Sequence, residues 1–175
     1  LRWKDGNQEV WQLAKKIRGW GRVHAVERIE PETDEIKRWF LLEAVSNDVI
    51  PAYSAFTCWQ KADAEAVLRN HPSKEEFAGI RDIIGGMLDE GPVPGISRVK
   101  NRDDVILTFL RTAGEMALEP EDYETIRSIR IYFEEETSGH PEILPLCQKL
   151  LTTDPEEKVK ARTDGLTDLS FSCRD

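Results

Sequence analysis

The stretch Arg18-Gly-Trp-Gly-Arg-Val-His-Ala-Val-Glu-Arg28 gathers an imidazole, a carboxylate, guanidinium groups and an indole within eleven residues. On a helix over 22–29, at about 100° per residue, Val23, Ala25, Val26 and Ile29 cover one side. His24, Glu27 and Arg28 fall on the other, at i, i+3 and i+4. Trp20, just ahead of that helix, is expected to cover the same face. A base, an acid, a guanidinium and an aromatic ring would then share one small surface, suited to binding a ligand or to proton transfer. The plain alternative is a solvated helix face on which Glu27 neutralises Arg28 or its neighbour.

Other constellations carry less. A metal held by His24 and Glu27 would need partners elsewhere, and only His71 and His140 remain, each before a proline in a loop. Cys58, Cys147 and Cys173 are far apart, with no CxxC and no Cys/His cluster, so no zinc site is expected. Cys58 and Cys147 stand among apolar neighbours and read as small core residues. Tyr53 and Cys58 share a helical stretch, but no histidine is near in sequence to activate the thiol. Neither GxSxG, GxGxxG nor a P-loop occurs. No catalytic residue, metal or cofactor is assigned on these grounds.

The 175 residues carry 24 Lys+Arg against 33 Asp+Glu, a net charge of −9. That balance argues against a general nucleic-acid binder. It is unevenly spread. Residues 1–28 sum to +4 and the remainder to −13, and all five tryptophans (Trp3, Trp11, Trp20, Trp39, Trp59) lie in the first 59 residues. Either tryptophans fill the core of the first helical hairpins, or part of this segment is an aromatic, basic recognition surface. The chain opens on Leu1, with Met87 and Met116 its only methionines, so a longer or processed precursor is expected. No apolar segment long enough for a membrane span occurs, and the unpaired cysteines fit a reducing cytoplasm.

The elements that must position these residues are helices. Expected segments run over 8–18, 22–29, from Thr33 or Asp34 to Leu41, and from Asn47 or Asp48 through Trp59. In the last of these Ala52, Ala55, Phe56 and Trp59 form one apolar stripe, and Pro51 is tolerated in the first turn. Further helices are expected over 62–69, after a Ser73/Glu76 capping box, over 106–117, from Pro120, and over 143–151 with a kink at Pro145. Glu90-Gly-Pro-Val-Pro-Gly95 is a loop by composition, and Gly85-Gly86 marks a close helix–helix approach. A last short helix is expected from Asp154, and Leu169, Phe171 and Cys173 alternate like a strand too short to make a sheet. The reading is all-α: a single domain over 1–163 with a tail over 164–175. Helix pairs drawn at 8–29, 34–61, 62–90, 102–136 and 141–163 favour an α-solenoid of stacked hairpins, with a closed globular helical bundle as the alternative.

Gly19-Trp-Gly-Arg-Val-His-Ala-Val-Glu-Arg-Ile-Glu-Pro31, Asp34-Glu-Ile-Lys-Arg-Trp39, Asn47-Asp-Val-Ile-Pro-Ala-Tyr-Ser54 and Asp89-Glu-Gly-Pro-Val-Pro-Gly-Ile-Ser97 resemble a family of bacterial HEAT-like repeat proteins, often automatically named limonene hydroxylase. The likeness spans roughly residues 8–136 and implies an α-solenoid. It implies no activity. Hydrocarbon hydroxylation needs haem, flavin or a non-haem metal, and no motif for any of these is present. With stacked hairpins, the second helix of each pair would line the inner surface, placing His24, Glu27, Arg28 and Tyr53 on or near it beside Trp20. Two functions follow: a scaffold that binds a protein or peptide on that concave face, or a HEAT-like nucleic-acid enzyme of the DNA-glycosylase type. The −13 remainder argues against the second.

Overall fold

The computed structural model describes residues 6–136 and 139–155. Among them every regular element is a helix: α1 (Gly6–Ala14), α2 (Gly19–Arg28), α3 (Asp34–Leu42), α4 (Ala52–Lys61), α5 (Ala64–Arg69), α6 (Lys74–Leu88), α7 (Arg102–Ala113), α8 (Pro120–Glu135) and α9 (Ile143–Leu151), with a 3₁₀ turn at Ile96–Arg98. The chain divides into two compact units, with the boundary between Phe109 and Leu110. The strand-like alternation at Leu169–Cys173, the tail over 164–175 and the body of the helix expected from Asp154 lie outside the described residues.

In the first unit the second members of the expected pairs form a row. Helix α4 packs on both α2 and α6, while α1 packs on α2, α3 on α4 and α6, and α5 on α4 and α6. Thr33 caps α3 by accepting the Ile36 amide at 3.2 Å. The Ser73/Glu76 capping box forms in both directions, at 3.3 and 2.8 Å. The core is built of the periodic apolar positions: Val23 and Val26, Ile36 and Phe40, Ala55 and Trp59, Phe77, Ile80 and Ile84. Phe77 stacks on Phe109 with ring centroids 4.9 Å apart.

Glycines set the closest approaches. A Cβ on Gly86 would meet the Ala55 Cβ at 2.9 Å, so α6 lies against α4 there, as the paired glycines suggest. Gly79 does the same for α3: a Cβ there would be driven into the Leu41 carbonyl.

In the second unit α8 packs on α9 around Ile126, Ile129, Phe133, Ile143, Cys147 and Leu151. Pro120 opens α8 as expected, and Asp122 accepts the Glu119 amide at 2.7 Å. Arg127 is paired with the buried carboxylate of Asp154. Pro145 is the third residue of α9, where its missing N–H breaks no helical bond, so it is accommodated in the first turn. The periodicity placed over 106–117 ends earlier: α7 stops at Ala113, and Ala117 is exposed. No helix among the described residues is long and apolar enough to cross a membrane.

Candidate functional site

Helix α2 begins three residues before the expected start. Helix α1, expected over 8–18, stops at Ala14, and Gly19, at φ +65°, opens α2 with its amide donating to the Asn47 carbonyl at 2.8 Å. Trp20 is therefore inside the helix rather than ahead of it, four residues from His24 and on the same face. The indole is 52% exposed, and its ring centroid lies 6.3 Å from that of His24. Its closer partner is on α4: Tyr53 meets Trp20 edge to face at 4.7 Å. His24 Nδ1 sits 3.6 Å from the Glu27 carboxylate, so Glu27 pairs with His24 rather than with Arg28. Arg28 lies four residues beyond His24 on the same helix and is exposed. Four of the five candidate residues are thus joined by direct neighbours across α2 and α4, and Arg28 stands at their edge.

The foundation under this face was not visible in the spacing. Asn47, expected as a helix cap, is 1% exposed and braces the α3–α4 turn instead. Its amide donates to the carbonyls of Val45 and Ile50 and to Ser54 Oγ, at 3.2–3.3 Å, and its oxygen accepts the Val49 amide at 2.9 Å. Asp48, next along, takes φ 59° and reaches Arg18 at 3.5 Å. The turn that presents Tyr53 is thereby tied to the start of α2.

Two cations lie beneath. Arg22, on the buried side of α2, donates to the Glu43 carbonyl at 2.7 Å and lies 5.6 Å from the Trp39 ring centroid. Burial, then the charge of Arg18, lowers its pKa. Lys61 donates to the carbonyls of Val26, Glu27 and Ile29 at 3.2, 2.8 and 2.5 Å, closing the C-terminus of α2. Its pKa is lowered by burial as well. Both donate to backbone carbonyls, and the buried Arg22 Nε is left without a hydrogen-bond partner. The signal for both was in the sequence, a basic residue at a core-facing helical position, but it is indistinguishable there from a basic residue at a surface position.

Cys58 is fully buried, and that burial pushes its thiol up to about 12 despite the nearby charges of Arg22 and Lys61. Such a thiol is a poor thiolate ligand for haem. Among the described residues no group of three or more His, Cys, Asp or Glu is placed to hold a metal ion. His71 and His140 are exposed in their loops. Of the tryptophans, Trp11, Trp39 and Trp59 fill the core, and only Trp20 of the described four is presented to solvent. In comparisons with protein-family models, curated proteins and solved structures, nothing matches this chain.

Proposed function

We propose that this chain is a HEAT-like helical-repeat module of the α-solenoid type that binds a protein or peptide on the face shared by α2 and α4. The observation that carries the reading is the Trp20–Tyr53 contact, which spans two helices and leaves more than half of the indole in water. Exposing a tryptophan beside a tyrosine forfeits burial worth roughly 1.5–3 kcal/mol, and aromatic pairs of this kind anchor interfaces. The α2–α4–α6 row supports the solenoid part of the reading, because stacked hairpins put their second helices side by side. The free thiols of Cys58 and Cys147 suit a reducing cytoplasm.

The test is selection from a random dodecapeptide library against the wild type and against Trp20→Ala/Tyr53→Ala. Enrichment on the wild type, lost on the double variant whose thermal melt is unchanged, is the expected result. Equal enrichment on both would refute the reading. Salt-sensitive binding of duplex DNA with no peptide enrichment would favour the nucleic-acid alternative.

A further inference from the structure

Resting on that reading, we infer that the partner segment is acidic and carries one large apolar side chain that seats against Trp20 and Tyr53. The apolar half of the inference comes from the shelf itself. Trp20 is 52% and Ile50 44% exposed, and Ile50 accepts the Tyr53 amide at 3.1 Å, so it sits in the turn that presents Tyr53. Asn47 pins this turn to its neighbours through four hydrogen bonds. A shelf already held in place binds without a large ordering cost.

The acidic half comes from charge. Of the carboxylates beside the shelf, Asp48 is paired with Arg18, and Glu27 lies 3.6 Å from His24, which offsets its charge only when protonated. Lys16, just ahead of α2, and Arg28, at its end, are exposed and have no ion-pair partner among the described residues. Beneath them Arg22 and Lys61 bond to backbone carbonyls, and the carboxylates of Glu43 and Asp48 act on Arg22, and those of Glu30 and Glu27 on Lys61, through their charge without a direct bond. Residues 6–28 sum to +3 in a chain of net charge −9. An acidic segment is repelled by most of this molecule and attracted to this corner. That confines its docking site and sets its register. A basic segment would find the opposite.

The probe is a set of three fluorescein-labelled dodecapeptides, followed by anisotropy at 50 and 300 mM NaCl. One is glutamate-rich with a central phenylalanine, one is the same with alanine at the centre, and one is lysine-rich with the phenylalanine. The first should bind at least tenfold more tightly than either other, and several-fold more weakly at 300 mM salt. Trp20→Ala should abolish the advantage of phenylalanine over alanine. Arg28→Glu should weaken the glutamate-rich peptides alone. Comparable or tighter binding of the lysine-rich peptide overturns the inference, as does an Arg28→Glu variant that binds like the wild type. If the library selection returns neutral or basic peptides dependent on Trp20, the inference fails while the docking face stands. If neither the dodecapeptides nor the library gives a binder, both fail.

Discussion

At Cys58 one residue separates two chemistries. A thiol beside two cations is the usual arrangement for a reactive cysteine. Here the thiol is fully buried, and burial outweighs Arg22 and Lys61, so the sulfur stays protonated far above neutral pH. Cys147, also buried, has its thiol pushed to about 12 by burial. Native protein treated with iodoacetamide at pH 8 is expected to leave both unlabelled, with labelling on unfolding, read by peptide mass spectrometry. Rapid native alkylation of Cys58 would contradict its placement. The candidate site was legible at this scale to a definite extent. A helical wheel suffices to separate Val23 and Val26 from His24 and Glu27. It cannot show that Trp20 is held by Tyr53, because that contact joins residues 33 positions apart. It puts Arg22 on the core-facing side but gives no sign of what its charge meets there, because the carbonyl that accepts from it belongs to Glu43, just past α3.

Helix boundaries follow from the competition between local signals and packing. The capping signals are short-range chemistry, and Thr33 and the Ser73/Glu76 box act where the sequence puts them. Gly19 misleads because it reads as the stop of a helix over 8–18, whereas α1 already ends at Ala14 and Gly19 is the left-handed residue from which α2 starts. The Glu76 carboxylate has a testable role. Accepting the Ser73 amide, and then the Ser73 hydroxyl interaction, holds its pKa below the ordinary 4.5. A depressed carboxylate adds stability that is present above its unfolded value and is lost as pH falls through the folded one. Glu76→Gln should therefore melt below the wild type at pH 7, and the gap should close as pH drops well below 4.5. A gap that stays constant from pH 7 to pH 3 would show that the charge contributes nothing.

Across the whole molecule the all-helical class was legible because periodic apolar positions recur along nearly all of the described chain. The division at Phe109/Leu110 was not, because one helix, α7, runs through it without a glycine, proline or polar linker. Stacked hairpins and a closed bundle differ in how a defect spreads. In a stack each hairpin depends on its neighbours, so damage stays local; in a two-state bundle every amide reports the same loss. Phe77→Ala removes a ring that is 2% exposed and stacked on Phe109, at a cost of about 3–5 kcal/mol. Amide hydrogen exchange in this variant should rise across α3–α6 and remain unchanged in α8 and α9. A uniform rise through both units would favour the closed bundle.

The α2–α4 face is the proposed place where another chain is recognised. Amide chemical shifts of the ¹⁵N-labelled protein, followed while the glutamate-rich phenylalanine peptide is added, test this most directly. Perturbations concentrated at 18–28 and 47–53, and absent in Trp20→Ala, are the predicted result. Shifts centred on α8 and α9, or a spectrum that does not change at saturating peptide, would contradict it.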